Sequence, residues 1–355
     1  MIAVLGAGSM GSVIAEDLIA EDEVTVIDTS KTALDKVKGC NVFLGDVFDF
    51  DRFDSVELFI TALPADAAYE IVKKLLSHGK SVVDISFTDY DPFDLDDISK
   101  KNKAIFIPHA GFAPGLSNIL AGKLYYSEDS RNMEIIVGGL QKKHIPPMDY
   151  IPTFNAGSVI DEYIRPAKYL VEGEVRMAEP LETLETLTIE GIGHLDTFYS
   201  DGLATILDTF NGASVIEKTV RYHGHLEKMK FLRDMGYFSG SSADNCSPRK
   251  ISERIFQSLV KDEKDLSILQ VRQLDGARLQ FECIDSYDEI LGISSMRRMT
   301  GYSAASISSA ILKGHIEETG VYPAEWIGRE TAIYDFILKR LMDHGITIEL
   351  KRPQK

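Results

Sequence analysis

The sequence predicts an α/β protein in which a doubly wound parallel sheet is accompanied by a second α+β domain built on a mixed or antiparallel sheet. Strand-like and helical segments alternate over the first third of the chain, three glycines follow the first strand, and the alternation stops beyond Asn118. A length of 355 residues also suggests two domains. We expect a first domain over residues 1–120, completed by a helix from about 296–330, and a second domain over 121–295 with 331–355.

The first element is an apolar strand that leads into Gly6, Gly8 and Gly11, in a Gly-x-Gly-x-x-Gly pattern. A helical segment and the β-branched strand EVTVIDTS follow, and this strand reaches Asp28. An acid about 20 residues beyond the first glycine is where a dinucleotide-binding unit places a carboxylate for the ribose hydroxyls. The combination predicts a Rossmann-type site in which Gly6 permits the turn, Gly8 admits the pyrophosphate and Gly11 allows close helix packing. The alternative is a purely structural turn in another α/β protein.

The residues around this pattern extend the predicted cofactor site. Ser9 and Met10 open the helix, and Thr29 follows Asp28. The Asp28 carboxylate would repel a 2′-phosphate, and no arginine follows it closely, although Lys31 does. The sequence therefore favours NAD over NADP.

The remaining strands of the first domain are predicted in NVFLGDVFD, VELFITALPA, SVVDIS and AIFIPHAGFAPGLSN, with helices such as DAAYEIVKKLLSHG between them. In doubly wound sheets, ligands bind beyond the carboxyl ends of the strands. We therefore expect the cofactor crevice to be lined by the residues at these ends, namely Asp46, Val47, Leu63, Pro64, Asp84, Ser86 and the loop from His109 to Asn118.

The second domain begins with the longer strand MEIIVGGLQ and contains a predicted hairpin that turns at Asp275-Gly276. The segment MRRMTGYSAASISSAILKG predicts a helix of small residues that returns to the nucleotide domain. This is the helix that completes the first domain in the division given above.

Ionisable residues cluster in two segments of the second domain. The first segment carries Asp161, Glu162, Tyr163 and Arg165, and the second carries Arg221, Tyr222, His223 and His225. Such a combination at the end of a strand and the start of a helix suits an anionic substrate group. The alternative for the two histidines is a helix start with one exposed ring. A metal site is not expected, because two histidines two residues apart have no further ligands nearby in the sequence.

Composition limits the class of protein further. A formal net charge of −17 argues against nucleic-acid or anionic-membrane partners, because phosphates would be repelled. The three cysteines, Cys40, Cys246 and Cys283, are too few and too scattered for a disulfide framework. No apolar run approaches the ~18 residues of a membrane span, and no leader pattern precedes Ile2. We expect a soluble, cytoplasmic protein that acts on a small molecule.

Several motifs, in order along nearly the whole chain, resemble those of one family. They are VLGAGSMG, VVDIS, GFAPGLSN, GGLQ, FNAGSVIDEY, RYHGHLEKMKFLRDMG and SYDE followed by RRMTGYSAA. The chain resembles the saccharopine dehydrogenase-like reductases, and most closely their lysine 6-dehydrogenase branch. It departs from that branch at Gln141 and His223, where the branch usually has proline.

The resemblance implies oxidative deamination of the terminal amine of lysine to 2-aminoadipate semialdehyde, with NAD as the hydride acceptor. The reaction needs a base, for which His225 is suited by its intrinsic pKa, while Asp161 or Glu162 could hold the substrate ammonium. Arg221 or Arg165 could grip the α-carboxylate, and Tyr163 lies among these residues. The family also suggests a homodimer formed through the sheet of the second domain.

Two other functions are open at this stage. The first is a reductase that joins an aldehyde to an amine through an imine, as in saccharopine or carboxynorspermidine synthesis, with NADPH as the reductant. The second is a protein that binds NAD without turnover. A screen of amines and amino acids for NADH production separates these functions.

Overall fold

The computed structural model describes residues 1–88, 90–152, 156–240, 247–259 and 264–352, and it leaves the side chains of Asp51 and Asp66 undescribed. Cys246 and the start of the FNAG motif lie outside these residues. The chain forms two compact units. Unit 1 comprises residues 1–129 and 297–348, and unit 2 comprises residues 130–296 and 349–355.

The elements up to residue 127 build most of unit 1. They are β1 (Ile2–Leu5), α1 (Ser9–Leu18), β2 (Val24–Asp28), α2 (Lys31–Leu34), β3 (Asn41–Leu44), β4 (Leu58–Thr61), α3 (Ala65–Ser77), β5 (Ser81–Asp84), α4 (Asp96–Lys101), β6 (Ile105–Ile107) and α5 (Leu116–Ser127), with short 3-10 helices at Val47–Phe53 and Pro92–Leu95.

The middle of the chain forms unit 2. Its elements are β7 (Asn132–Gln141), α6 (Ala156–Glu162), β8 (Ala167–Val171), β9 (Glu174–Ala178), β10 (Glu185–Ile189), β11 (Gly193–Tyr199), α7 (Ile206–Thr209), β12 (Ser214–Tyr222), α8 (His225–Asp234), α9 (Pro248–Leu259), β13 (Asp265–Gln273) and β14 (Gln280–Ser286). The last elements are α10 (Ser295–Leu312), β15 (Gly320–Val321), α11 (Ala324–Ile327), α12 (Thr331–Asp343) and β16 (Glu349–Lys351).

The sheet of unit 1 has seven parallel strands in the order β15-β6-β5-β4-β1-β2-β3. The central strands are continuous apolar runs, and every residue of β1 from Ile2 to Leu5 is fully buried, as expected for a parallel sheet covered on both faces. The strand order reverses between β1 and β4. This reversal is the topological switch point at which such sheets bind ligands, and the predicted doubly wound sheet is confirmed.

The C-terminal helix α12 corrects the predicted domain boundary, because residues 331–348 belong to unit 1 and not to the second domain. Its buried residues include Ile337 and Leu341. On another side of the helix, Arg340 pairs with the Asp17 carboxylate of α1 at 2.6 Å. The apolar face and this ion pair hold α12 in unit 1, whereas the sequence predicted it in the second domain.

The sheet of unit 2 has nine strands and is mixed, as predicted. Its main order is β10-β11-β12-β7-β13-β14-β16, while β8 pairs with β12 and β9. Among the strand pairs of this unit that the structure describes, only β7–β12 is parallel. The predicted hairpin is the antiparallel β13–β14 pair, with Gly276 at φ +51° in its turn. Helices α6, α8 and α9 share one buried cluster that includes Val159, Leu226 and Phe256.

No helix within the described parts of the chain combines the length and the apolar character that a membrane crossing requires.

Candidate functional site

The three glycines after β1 differ in what surrounds them. A Cβ on Gly6, which has φ +102°, would lie 2.5 Å from the Ala62 carbonyl oxygen. A Cβ on Gly11 would lie 2.0 Å from the Gly6 carbonyl oxygen. A Cβ on Gly8 would meet nothing within 4 Å, and Gly8 is exposed. The fold therefore requires glycine at positions 6 and 11, whereas the open space beside Gly8 is suited to a ligand that approaches the backbone.

The start of α1 offers an environment for an anion next to Gly8. No side chain caps this helix end, and its first turn holds no acidic residue. The helix start therefore carries partial positive charge. The Arg297 guanidinium donates to the Ser9 carbonyl at 3.0 Å and to the Ser12 hydroxyl at 3.3 Å. Ser9 is exposed and Met10 is half-buried. Backbone N–H groups and an arginine thus meet at the place predicted for the pyrophosphate.

Asp28 ends β2 beside this loop. One carboxylate oxygen accepts from the Ala7 amide at 2.6 Å, and the other accepts from the Ser30 amide at 2.7 Å. Each carboxylate oxygen has a second lone pair, so the half-buried side chain can accept ribose hydroxyls while it fixes the glycine loop. Thr29 is exposed next to it.

The other predicted strand-end residues divide into two groups. Leu63 packs against the core of unit 1 and Pro64 is exposed before α3, directly after β4, the strand that neighbours β1. Asp46 caps the 3-10 helix through the Phe48 amide at 2.9 Å, and Val47 packs on the core. Asp46 and Val47 follow β3 at the edge of the sheet, and the contacts described for them are made to other residues of the chain.

Asp84 and Ser86 are directed towards each other rather than outwards. The Asp84 carboxylate is 1% exposed and accepts from the Ser86 hydroxyl at 2.6 Å and the Thr61 hydroxyl at 2.5 Å. Burial raises the pKa of Asp84. The pair therefore stabilises the end of β5, and its side chains have little surface for a cofactor.

In unit 2, the structure brings together Arg221, near the end of β12, and three other predicted catalytic residues. Arg221 is only 2% exposed. Its Nη2 donates to Glu162 at 2.6 Å, and its Nε donates to the Tyr163 hydroxyl at 3.1 Å. The Tyr163 hydroxyl also lies 3.0 Å from Nε2 of His225, whose Nδ1 lies 2.8 Å from the Met148 carbonyl. The guanidinium is therefore held within the chain, and it is poorly placed to grip a substrate carboxylate.

The bonding partners of Tyr163 and His225 determine which atom donates and which accepts in each of their hydrogen bonds. A carbonyl only accepts, so Nδ1 of His225 donates to Met148, and Nε2 is left as an acceptor. The Arg221 Nε only donates, so the Tyr163 hydroxyl accepts from it and donates to Nε2 of His225. Burial lowers the pKa of His225 to about 3 and raises that of Tyr163 to about 12. A neutral imidazole whose lone pair is engaged is poorly suited to take a proton from an ammonium, so the structure does not favour His225 as the base.

Glu162 is the member of this network that reaches solvent, with its side chain 27% exposed. Burial raises its pKa, and the Arg221 guanidinium partly offsets this effect. Asp161 is directed elsewhere, because it pairs with Arg249 at 2.7 Å. The neighbouring cleft is mostly apolar and is lined by Met148, Tyr150, Pro152, His225, Phe256 and Leu259.

The other predicted residues of unit 2 lie around this network. Tyr222 donates to the Gln141 carbonyl at 2.7 Å, and exposed His223 lies 2.9 Å from Asp196, which raises the pKa of this histidine. Arg165 lies 3.9 Å from the Asp201 carboxylate. Of the two histidines, one ring is therefore buried and one is exposed. Among the described residues, no group of three metal-ligating side chains is assembled.

The sequence analysis missed Glu217, in the middle of β12. This residue is 4% exposed, and its Oε1 accepts from the Ser200 hydroxyl at 3.0 Å. Its Oε2 is buried and has no hydrogen-bond partner among the residues that the structure describes. Burial, together with the Asp201 and Glu162 carboxylates, raises its pKa to about 8. Little in the sequence signalled this residue, because Glu217 stands beside Lys218 and Thr219 in a strand of mixed character.

The fold and the glycine-loop site define the class of the protein as a dinucleotide-binding α/β protein with an added mixed-sheet unit. The model of the saccharopine dehydrogenase C-terminal domain family matches residues 111–346, and that of the TrkA-N domain matches residues 2–87. The chain belongs to the saccharopine dehydrogenase family, and it is a saccharopine dehydrogenase-like NAD(P)-binding oxidoreductase.

Two solved structures show the same fold. Saccharopine dehydrogenase (L-Glu forming) from Saccharomyces cerevisiae is 19% identical with a TM-score of 0.80, over 99% of both chains. Homospermidine synthase from Legionella pneumophila, in complex with NAD, is 11% identical with a TM-score of 0.72, over 99% of this chain and 91% of the other.

Proposed function

We propose that the protein is an NAD-dependent dehydrogenase of amino acids, which oxidatively deaminates the terminal amine of lysine to 2-aminoadipate semialdehyde. The observation that carries the NAD dependence is the open glycine at position 8 beside the Asp28 carboxylate, whereas lysine as the substrate rests on the motifs that resemble the lysine 6-dehydrogenase branch. The open backbone suits a pyrophosphate, and an unshielded carboxylate at the ribose favours NAD over a cofactor with a 2′-phosphate.

The residues of unit 1 fit the cofactor. The backbone at Gly8, the start of α1 and Arg297 would hold the pyrophosphate, and Asp28 would accept the ribose hydroxyls. When bound, NAD supplies the acceptor for a hydride from the carbon next to the substrate amine.

On the substrate side, we assign the base to Glu162. The substrate ammonium must lose a proton before a hydride leaves its carbon, and a half-buried carboxylate with a raised pKa can accept that proton. Loss of the hydride leaves an iminium, to which water adds, and ammonia then leaves to give the aldehyde. Arg221, held by Tyr163, orients Glu162. The net charge of −17 attracts cationic amines.

The second candidate runs in the opposite direction and joins an aldehyde and an amine through a reduced imine. The names of the two similar structures, a saccharopine dehydrogenase and a homospermidine synthase, favour it. In that case, the preferred substrates would be an aldehyde with an amine partner, and the reductant would be NADPH or NADH.

A two-way screen tests both candidates. The protein is incubated with NAD or NADP and a panel of amino acids, diamines and polyamines, and in parallel with NADH or NADPH and aldehyde–amine pairs, while absorbance of the reduced cofactor is followed. We expect NADH to form fastest with lysine, and Glu162→Gln serves as the control with reduced rate. Cofactor consumption only with aldehyde–amine pairs supports the second candidate. Binding of NAD without turnover in any combination contradicts both.

A further inference from the structure

His109 occupies an unusual backbone position in unit 1. It follows β6 by two residues and has φ +53°, in the left-handed region that histidine rarely adopts. It is also 4% exposed. A buried non-glycine residue in this conformation is held by its surroundings and is often found at a ligand site.

The ring of His109 has one satisfied nitrogen and one unsatisfied nitrogen. Nδ1 lies 3.1 Å from the Ser86 carbonyl, and because a carbonyl only accepts, Nδ1 carries the hydrogen. Nε2 is therefore an acceptor, and within the described parts of the chain it has no hydrogen-bond partner. Burial lowers the pKa of His109 to about 4, so this lone pair is present near neutral pH. Nε2 is not among the described buried side-chain atoms that lack a partner, so it is accessible from outside the chain and can accept a hydrogen bond from a ligand.

The position of the ring indicates which donor this is. His109 and Ser86 follow the carboxyl ends of β6 and β5, whereas Asp28 ends β2 on the other side of the switch point. A doubly wound sheet binds one mononucleotide on each half. If Asp28 takes the adenosine ribose, the half of the sheet that contains His109 takes the nicotinamide mononucleotide. The nicotinamide ring carries a carboxamide, whose NH₂ group is a hydrogen-bond donor.

We propose that Nε2 of His109 accepts a hydrogen bond from the carboxamide of the nicotinamide ring, so that His109 is a positioning residue for that ring. The inference rests on the proposed function only in requiring that the protein binds NAD. It adds a contact on the side of the cofactor that Asp28 does not reach.

The test compares two cofactors and two variants by calorimetry on the full chain. In 3-acetylpyridine adenine dinucleotide a methyl ketone replaces the carboxamide, so the donor is lost. His109→Asn tolerates the left-handed backbone and has an amide nitrogen near the place of Nδ1, but it has no atom at Nε2. We expect the wild-type protein to bind NAD about fivefold more tightly than the analogue, and His109→Asn to bind both equally.

Asp28→Ala is the matched control, because it should weaken both cofactors by the same factor and leave their ratio unchanged. A ratio that is the same in wild type and His109→Asn, with NAD still bound, overturns the role of His109 and leaves the proposed function intact. A folded wild-type protein that binds neither dinucleotide overturns both. Circular dichroism confirms the fold of each variant, and His109→Gly replaces His109→Asn if the latter does not fold.

Discussion

Glu217 makes the stability of the protein depend on pH. In the folded state its pKa is raised from 4.5 to about 8, with burial as the largest cause. Below pH 4.5 the carboxyl is protonated in both the folded and the unfolded chain. As the pH rises from 4.5 to about 8, the unfolded chain releases this proton while the folded chain retains it, so folding stability is lost across this window. The full difference corresponds to about 5 kcal/mol.

The substitution Glu217→Gln removes the titrating group and keeps the shape of the protonated side chain. Between pH 6 and pH 8, the wild-type protein should lose about 2 kcal/mol of unfolding free energy relative to this variant. Urea unfolding followed by far-UV circular dichroism measures the difference, and hydrogen exchange of β12 locates it. Exposed Glu190, changed to Gln, is the control and should follow the wild-type curve. Parallel curves for wild type and Glu217→Gln would refute the buried, protonated state.

Further predictions concern the two sites. Gly8→Ala should leave the fold intact, since the new Cβ meets nothing within 4 Å, and should weaken NAD binding about tenfold. Gly11→Ala should destabilise the protein by about 2 kcal/mol, because its Cβ would meet the backbone of Gly6. Calorimetry measures the loss of NAD binding, and thermal unfolding measures the loss of stability. NAD should bind at least about tenfold more tightly than NADP, a difference of about 1.4 kcal/mol, and Asp28→Ala should narrow that gap in a titration of both cofactors. His225→Asn should lower the unfolding midpoint and leave kcat nearly unchanged, because the hydrogen bonds of the His225 ring are made within the chain. A large loss of kcat without a change in stability would instead identify His225 as the base. Glu162→Gln should lower kcat about 100-fold with a smaller stability change, since the amide oxygen still accepts from the guanidinium; an unchanged kcat would exclude Glu162 as the base.

The parallel sheet and the local geometry of the glycine loop could be predicted because their signals are local. Gly6, Gly11 and Asp28 lie within one strand–helix–strand unit, where spacing along the sequence fixes spacing in the fold. The hairpin at Gly276 was predictable for the same reason. The α12 assignment failed because its place depends on an ion pair between Arg340 and an acid more than 300 residues earlier in the chain.

The chemical state of the second site could not be predicted for a similar reason. The sequence shows that His225 lies near an arginine and a tyrosine, but its protonation depends on the Met148 carbonyl, 77 residues away. The burial of Glu217 depends on how β12 lies inside the sheet. The sequence predicted the return of α10 to unit 1, but the position of the Arg297 side chain beside the glycine loop depends on its bonds to Ser9 and Ser12. Contacts between distant segments decide each of these, and no pattern in a short stretch of sequence reports them.

Unit 1 is assembled from both ends of the chain, with β15 pairing with β6 and α12 pairing with α1. During synthesis on the ribosome, the first 129 residues emerge without the edge strand β15 and the helices α10, α11 and α12 that complete their unit. Residues 130–296 of unit 2 emerge before unit 1 can be completed. A prematurely terminated chain would thus expose the edge of β6 and the acids of α1 that α12 normally covers.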